Sequence, residues 1–375
     1  MTAPEVPIGG PVTAEQHPRR KHATFHPLQV AKLDRLTDDA VAITFDVPDG
    51  LAEDFTFKPG QHVAVRALLA GDDVRRNYSI CAPAGSATLR IGVKRLPDGV
   101  FSAYALDHLA VGDTLEVLSP AGTFSPTLEA GQARHYGAIA AGSGITPILS
   151  ILATALQVEP GSRATLIYVN ATSRSIMFLE ELEDLKNRFL GRFQIVHVLG
   201  HEAQDAELLS GRLDPDRLTA LLDTFGGDAV ESWFLCGPMP LTDMVIATLQ
   251  ARGVPAGAIH RELFHADALP PRRAANRSTD TGPGYRVSVV LDGRRTDFTL
   301  PPDTEPVLDA ARRLRGEIPF ACKNGVCGTC RCRLTAGTVD MAQNYALEPD
   351  ELARGYVLAC QSYPTSDGVV MDFDQ

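Results

Sequence analysis

The spacing of hydrophobic residues changes along the chain, and each change marks a different kind of fold. Between about His26 and Pro126, short runs alternate apolar and polar residues and are separated by turn sequences such as Pro59-Gly60. Alternation of period two is typical of β-strands with one buried face. The clearest runs are 41–45, 62–65, 89–93 and 114–117. Many short strands at this spacing predict a small antiparallel β-barrel.

The pattern from about Glu129 to Phe264 alternates between short apolar runs and longer amphipathic segments. This alternation predicts a parallel sheet with helices on both faces. The predicted strands are 137–141, 164–169, 194–198 and 232–236. The predicted helices are 146–156, 177–187 and 239–252.

The segment Tyr136–Val158 contains no charged residue and is long enough to span a bilayer. Gly142-Ser143-Gly144 and Thr146-Pro147 interrupt it near the middle. A buried strand, a tight turn and a buried helix therefore explain the run better than a membrane span.

The last part of the chain has a different organisation. Residues 265–284 contain Pro270-Pro271 and few large apolar groups, which is typical of a linker. Two alternating runs flank Asp292-Gly293, a pair that predicts a β-hairpin, and a short helix is predicted at 307–315. We therefore divide the chain into a flexible tail (1–23), a barrel (24–128), an α/β domain (129–264), a linker (265–284) and a small α+β domain (285–375).

Composition narrows the possible compartments and partners. The chain has 375 residues, 44% of them hydrophobic, with a formal net charge of −11. This excludes a disordered protein and argues against non-specific nucleic-acid binding. Residues 1–21 lack the apolar core of a signal peptide, and an odd number of cysteines, seven, disfavours a disulfide framework. We expect a reducing, cytoplasmic location.

Four cysteines form the most specific motif of the sequence. Cys322, Cys327 and Cys330 follow the spacing C-x₄-C-x₂-C, and Cys360 follows after a long gap. This is the ligand spacing of a plant-type [2Fe–2S] cluster, in which each iron takes two protein sulfurs. A zinc site more often has two separate C-x₂-C knuckles. Cys332 fits neither gap, and we interpret it as a non-ligand.

The stretch Arg76-Asn77-Tyr78-Ser79 resembles the R-x-Y-S signature of the ferredoxin–NADP⁺ reductase superfamily. An arginine can fork onto a pyrophosphate oxygen, and a tyrosine offers a flat face to a flavin ring. The resemblance implies a flavin domain in which Tyr78 and Ser79 lie at the reactive ring. FAD is expected, although FMN occurs in relatives. An ordinary strand with Arg76 and Ser79 in solvent is the alternative.

A second part of the same resemblance lies about twenty residues further on. Lys94 precedes the sequence Gly99-Val100-Phe101-Ser102, at the start of a predicted helix that reaches Leu109. The N–H groups at a helix N-terminus favour phosphate. In the superfamily this G-x-x-S turn holds the flavin pyrophosphate, so these residues are expected to bind the cofactor.

The predicted nicotinamide site has two motifs. The first strand is followed by a G-x-G-x-x-P sequence, which the superfamily carries in place of G-x-G-x-x-G. A tight strand–helix turn without a ligand is the alternative. At the end of the fourth strand, Cys-Gly-Pro resembles the sequence that lies beside the nicotinamide ring in the superfamily, which makes Cys236 a candidate catalytic residue. A buried small apolar side chain is the alternative for Cys236. The expected residues are Gly142, Gly144, Thr146, Pro147, Cys236, Gly237 and Pro238.

The choice of nucleotide depends on the residues after the second strand. An NAD site usually places an acidic residue there for the ribose hydroxyls, and none is present. Thr172, Ser173 and Arg174 could instead bind a 2′-phosphate. The sequence therefore favours NADPH. NADH remains the alternative, because relatives often carry an arginine where this chain has Ala171.

The order of flavin barrel, nicotinamide domain and ferredoxin resembles the oxygenase-reductase branch of the superfamily. Residues 344–361 and 370–374 are most similar to reductase subunits of phenylacetyl-CoA epoxidase complexes. The resemblance implies electron flow from NAD(P)H through FAD and a [2Fe–2S] cluster to a partner oxygenase, with a di-iron epoxidase expected first. A ketosteroid hydroxylase or a fatty-acyl desaturase is the alternative acceptor, and a non-enzymatic redox sensor is a remote one. Glu348, Asp350 and Glu351 are candidates for an acidic docking face, although an ordinary solvated helix is the favoured alternative.

Overall fold

The computed structural model describes residues 25–264, 284–347 and 349–375. Within these ranges the chain forms three modules in the predicted order. The predicted tail, residues 265–283 of the predicted linker and Glu348 lie outside the described residues.

The N-terminal module is a six-stranded antiparallel sheet with the order β4-β3-β6-β1-β2-β5. Both faces of β2 are buried, because Ile43 and Phe45 fill the barrel while Ala40 and Ala42 pack against the nicotinamide module. The strands are β1 Phe25–Thr37, β2 Ala40–Asp46, β3 His62–Leu69, β4 Asp72–Ser79, β5 Leu89–Lys94 and β6 Thr114–Leu118, and helix α1 is Val100–Asp107.

The second module is a five-stranded parallel sheet with the order β11-β10-β7-β8-β9. Helices α2 and α3 cover one face of the sheet, and α4 and α5 cover the other. The strands are β7 His135–Ala141, β8 Arg163–Asn170, β9 Phe193–Leu199, β10 Ser232–Cys236 and β11 Ile259–Glu262. The helices are α2 Ile145–Val158, α3 Leu179–Arg188, α4 Pro215–Phe225 and α5 Met239–Ala251.

Helix α4 was not predicted, although the sequence carries its boundary signals. The Asp214 side chain accepts a hydrogen bond of 2.8 Å from the backbone N–H of Arg217, and Pro215 occupies the first helical position. Gly226 ends the helix with a φ of 76°, a left-handed conformation that glycine adopts without strain. Strand β11, whose four residues are only partly buried, was also missed.

The segment Tyr136–Val158 forms most of β7 and all of α2, as predicted. Within the described ranges no helix has the length and apolar character needed to cross a membrane. Helix α3 begins at Leu179, two residues later than predicted, because Phe178 adopts a left-handed conformation with a φ of 59°.

The C-terminal module has a mixed five-stranded sheet, β13-β12-β18-β14-β16, and a two-stranded sheet, β15-β17. The predicted hairpin is present, and Asp292 and Gly293 form its two-residue turn with φ values of 54° and 68°. The strands are β12 Tyr285–Leu291, β13 Arg294–Leu300, β14 Arg331–Ala336, β15 Val339–Met341, β16 Tyr356–Leu358, β17 Ser362–Pro364 and β18 Val369–Asp372. The helices are α6 Val307–Arg312, which ends three residues earlier than predicted, and α7 Pro349–Ala353.

Candidate active site and electron-transfer centre

The R-x-Y-S residues Arg76 to Ser79 form the end of strand β4. The Arg76 guanidinium is exposed and donates a hydrogen bond of 2.8 Å to the Arg75 carbonyl. Within the described part of the chain it has no carboxylate partner, so its charge is available to an anion. The Tyr78 ring packs against Phe101 at the start of α1, with 5.4 Å between ring centroids. The two predicted flavin motifs are therefore neighbours in space.

The turn before α1 uses the Ser102 hydroxyl internally. This buried hydroxyl donates a hydrogen bond of 3.0 Å to the Gly99 carbonyl and accepts one of 3.1 Å from the Leu96 N–H. The backbone N–H groups of Val100 and Phe101 receive no side-chain cap. These N–H groups, and not the serine hydroxyl, fit a pyrophosphate. Lys94 forms an ion pair with Asp39 at 3.0 Å, so its charge already has a partner within the protein.

The glycine turn after β7 lies directly against the end of β10. A Cβ atom on Gly144 would overlap the Cys236 carbonyl oxygen, so only glycine permits this approach. The Thr146 hydroxyl donates a hydrogen bond of 3.1 Å to the Ser143 carbonyl, and Pro147 lies in the first turn of α2 as predicted. The two nicotinamide motifs, distant in sequence, therefore form one surface, which Gly237 and Pro238 continue.

Cys236 is paired in register with Glu262 on the neighbouring strand β11. The Ser79 hydroxyl of the barrel donates a hydrogen bond of 3.0 Å to the Glu262 carboxyl group. Burial raises the pKa of Glu262 to about 8, although the Ser79 hydrogen bond opposes this shift. Burial also raises the pKa of Cys236, with Glu262 as a further cause. At neutral pH the site therefore holds a neutral carboxylic acid beside a neutral thiol.

His62 on β3 lies between Glu262 and the cluster loop, the segment that carries Cys322, Cys327 and Cys330. Its Nδ1 atom is 4.0 Å from a carboxyl oxygen of Glu262, and its ring lies against the backbone carbonyl of Cys327. Burial lowers the pKa of His62 to about 4, so the imidazole is neutral. A cavity of about 810 Å³ opens beside His62, Glu262 and Cys327.

The sequence reasoning missed both Glu262 and His62. The available signal for Glu262 was a carboxylate at the end of the last short strand of the parallel domain, immediately before Leu263 and Phe264. No local signal distinguishes His62, because its surroundings come from three separate segments.

The residues expected at the adenine end lie in a turn after β8. Thr172 and Ser175 cap this turn reciprocally, and the Thr172 N–H donates a hydrogen bond of 3.0 Å to the Ser175 hydroxyl. The Ser173 N–H and hydroxyl both donate to Glu202, at 2.8 and 2.9 Å. These hydrogen bonds and the charge of Arg174 lower the pKa of Glu202. An acidic group that the sequence did not place here thus lies beside Ser173 and Arg174.

The four predicted cluster cysteines come together as two pairs. Cys322 interacts with Cys327, and Cys330 interacts with Cys360. Among the described residues no three His, Cys, Asp or Glu side chains converge as a single metal ion requires. Two pairs of cysteine sulfurs instead fit the two irons of a [2Fe–2S] cluster, each of which takes two protein sulfurs.

The surroundings of the two pairs favour the thiolate form of one cysteine in each pair, Cys322 in the first and Cys360 in the second. The hydrogen bond from the Cys327 thiol is the main cause that lowers the pKa of Cys322 to about 6, and backbone N–H groups such as that of Asn324 add to it. The Cys330 thiol lowers the pKa of Cys360, and the Gln361 amide approaches the Cys360 sulfur at 3.7 Å. Donors that stabilise sulfur charge suit a thiolate-ligated cluster.

Cys332 lies on strand β14 and belongs to neither pair. It is fully buried in β14, paired in register with Val357 of β16, and its thiol points to the Val357 carbonyl at 3.8 Å. Burial raises its pKa. This environment fits the predicted non-ligand role. Cys81 likewise lies in the core.

The expectation that Glu351 belongs to an exposed acidic face is wrong. Glu351 is 4% exposed and forms an ion pair with Arg331. Asp350 is exposed and pairs with Arg354 at 2.7 Å.

Comparisons with known proteins agree with the three modules. Residues 27–125 match an oxidoreductase FAD-binding domain, residues 138–246 an oxidoreductase NAD-binding domain, and residues 289–365 a 2Fe-2S iron-sulfur cluster binding domain. The chain is 45% identical to one of the subunits of 1,2-phenylacetyl-CoA epoxidase of Escherichia coli, over 94% of this chain and 98% of that protein. The chain belongs to the oxygenase-reductase branch of the ferredoxin–NADP⁺ reductase superfamily.

Two further comparisons extend along nearly the whole chain. The chain is 36% identical to the ferredoxin reductase component of 3-ketosteroid-9-alpha-monooxygenase of Mycobacterium tuberculosis, over 93% of this chain and 96% of that protein. The solved structure of phthalate dioxygenase reductase shares the fold, with a TM-score of 0.54, 24% identity, and coverage of 93% of this chain and 98% of that one. This oxygenase reductase is therefore an NAD(P)H-dependent oxidoreductase that uses FAD and a [2Fe–2S] cluster to supply electrons to an oxygenase.

Proposed function

We propose that the oxygenase served by this reductase is a di-iron phenylacetyl-CoA epoxidase of the cytoplasm. The observation that supports this partner is the 45% identity to the Escherichia coli epoxidase component along nearly the whole length of both chains. The identity to the ketosteroid monooxygenase component is lower, at 36% over a similar length. A ketosteroid hydroxylase is accordingly the second candidate, and a fatty-acyl desaturase is a third.

The proposed flavin site lies between β4 and α1. The Arg76 guanidinium and the N–H groups of Val100 and Phe101 bind the pyrophosphate, and Tyr78 lies against the isoalloxazine ring. When bound, FAD accepts the two electrons of a hydride and releases them singly to the [2Fe–2S] cluster, a one-electron carrier. The exposed cation and the uncapped N–H groups support this assignment.

The proposed hydride-transfer site consists of Ser79, Cys236 and Glu262. Ser79 orients Glu262 through its hydrogen bond, and the neutral acid leaves the site without a fixed negative charge when a hydride arrives. Cys236 offers a small neutral surface beside the nicotinamide. The Gly142–Gly144 turn and the start of α2 bind the nucleotide pyrophosphate, since this helix end also lacks a side-chain cap.

The partner is tested by reconstitution. The purified reductase is combined with the oxygenase subunits of a phenylacetyl-CoA epoxidase, and in parallel with a ketosteroid 9α-hydroxylase oxygenase. We expect NAD(P)H-dependent epoxidation of phenylacetyl-CoA with tight coupling of NAD(P)H oxidation to product. Efficient coupling only to the steroid hydroxylase would replace the first candidate by the second, and transfer to neither would contradict both.

A further inference from the structure

Strand β4 presents two sets of side chains to different neighbours. Successive side chains of a strand point to opposite faces. Arg76 and Tyr78 belong to the face assigned to the flavin. Arg75 and Asn77 alternate with them, and each contacts the ferredoxin module, Arg75 at Phe320 and Asn77 at Thr329.

The first of these contacts is a stack of two guanidinium groups around one aromatic ring. The Arg75 guanidinium lies 4.2 Å from the centroid of Phe320, and the Arg312 guanidinium lies 3.6 Å from the same centroid. Arg75 is 5% exposed and is fixed by two hydrogen bonds to Asp73, at 2.9 and 3.1 Å. Phe320 precedes Cys322 by two residues, so the stack holds the beginning of the cluster loop on the barrel.

The second contact holds the other end of the same loop. The Asn77 amide donates a hydrogen bond of 3.2 Å to the hydroxyl of Thr329, which lies between Cys327 and Cys330. Between the two polar contacts, Ala321 packs on Ala64 and Leu118 of the barrel. The loop that carries three of the four cluster cysteines is therefore fastened to β4 at two points with an apolar contact between them.

We propose that this face of β4 is the docking surface for the cluster loop, and that Arg75 and Asn77 are positioning residues for electron transfer from the flavin to the cluster. This inference rests on the proposed assignment of the flavin and cluster residues. Each hydride from NAD(P)H brings two electrons to the flavin, and each transfer across β4 removes one electron from the reduced flavin and adds it to an oxidised cluster. Because one strand carries residues for both centres, a shift of the loop along β4 changes the separation of those centres directly.

The test uses conservative variants on both sides of the contact in the holoprotein. Arg75→Lys keeps a cation beside Asp73 but removes the flat guanidinium, and Phe320→Leu removes the ring between the two arginines. Thr329→Val removes the hydroxyl while keeping the shape. Phe298→Leu is the matched control, since it makes the same change in the ferredoxin module at a half-buried site on the hairpin. Flavin content, iron content and the visible spectrum are measured for each variant.

Anaerobic stopped-flow kinetics separates the two electron-transfer steps. We expect flavin reduction by NAD(P)H at the wild-type rate in Arg75→Lys, Phe320→Leu and Thr329→Val, and cluster reduction slowed about tenfold or more, because small displacements of reacting centres have large effects on rate. The double variant Arg75→Lys/Phe320→Leu should be no slower than the slower single variant, since the two residues form one contact. The control Phe298→Leu should retain both rates.

Hydrogen–deuterium exchange gives a readout that does not depend on catalysis. Amides of residues 320–331 and of β4 should exchange faster in Phe320→Leu than in wild type, and should be unchanged in Phe298→Leu. Wild-type cluster reduction in all three docking variants would overturn the proposal. So would a slowed rate explained fully by lost iron or flavin. A wild-type protein whose flavin does not reduce the cluster would instead contradict the proposed function, while exchange would still report whether the loop docks.

Discussion

The Ser79 hydroxyl of the barrel donates a hydrogen bond of 3.0 Å to the Glu262 carboxyl group at the end of the nicotinamide module. The two residues are 183 positions apart in the chain. Their contact joins the strand that carries the flavin motif to the strand that faces Cys236. The proposed hydride-transfer site therefore forms only when the first two modules pack together.

The protonation of Glu262 predicts a pH dependence of flavin reduction. The wild-type rate should fall about tenfold between pH 7 and pH 9, because the carboxyl group with a pKa of about 8 gains a charge that opposes hydride arrival. Glu262→Gln should remove this fall while keeping a hydrogen-bond acceptor for Ser79. The neighbouring imidazole of His62 does not cause this fall, because its pKa is about 4 and it is already neutral at pH 7. Stopped-flow reduction by NAD(P)H across this range is the measurement, and an unchanged pH profile in Glu262→Gln contradicts the assignment.

The raised pKa of Glu262 also predicts how the free energy of unfolding changes with pH. Because the pKa of Glu262 rises from 4.5 in the unfolded chain to about 8 in the folded one, the folded state retains a proton that the unfolded state releases. The contribution of Glu262 to the free energy of unfolding should therefore decrease as pH rises from about 4.5 to about 8. Thermal melting of wild type and Glu262→Gln should show the wild type losing stability relative to the variant across this interval. A constant difference between the two melting temperatures would argue that Glu262 is charged in the folded protein.

Cysteine replacement tests the cluster assignment. Serine at Cys322, Cys327, Cys330 or Cys360 should abolish the iron–sulfur absorption and retain the flavin spectrum, since each iron needs two thiolates. Cys332→Ala is the control and should keep both spectra, because this thiol lies in the β14–β16 core. Iron content and electron paramagnetic resonance of the reduced protein are the measurements. A Cys332→Ala protein that folds but holds no cluster would reassign the ligands.

Arg76→Ala should weaken flavin retention by about one to two decades in Kd, since a hydrogen bond to a charged group contributes about 1.5–3 kcal/mol. The matched control is Arg295→Ala, which removes an exposed arginine of the ferredoxin hairpin. Flavin remaining after extensive dialysis is quantified by absorbance. Full retention in Arg76→Ala would remove this residue from the pyrophosphate site.

Gly144→Ala should impair nucleotide binding, because its Cβ would push the glycine turn away from the Cys236 carbonyl. Overpacking of this kind costs about 1–3 kcal/mol. We expect a raised KM for NAD(P)H and a lower melting temperature. Gly257→Ala is the control, since a Cβ there meets no atom within 4 Å. Wild-type KM in Gly144→Ala would show that the turn is not part of the nucleotide site.

The contact between Ser173 and Glu202 refines the expected nucleotide preference. Arg174→Ala should raise the KM for NADPH and leave that for NADH nearly unchanged, because only NADPH carries a 2′-phosphate. Glu202→Gln should lower the KM for NADPH, since it removes a negative charge beside Ser173. Steady-state kinetics with both nucleotides provides the test. Equal effects on both nucleotides would mean that neither residue reads the 2′ position.

Sequence alone determined the features that depend on neighbours in the chain. The C-x₄-C-x₂-C spacing, the glycine turns and the alternation of strands and helices are local, so they predicted the three modules and the candidate cofactor residues. Cys360 is distant from the other cluster cysteines, but a known spacing pattern linked it to them. The start of α3 was less accurate because a single backbone conformation, that of Phe178, decides where the helix begins.

Only the tertiary structure decided which residues share a site. Glu262 gains its neutral form from burial between two modules, and Glu351 is buried and paired with Arg331 although its acidic segment suggested an exposed helix. The two faces of β4 likewise acquire different neighbours only after the cluster loop packs on the barrel. Burial and contact between distant segments are properties of the packed chain, and they set the electrostatics and the separations on which hydride and electron transfer depend.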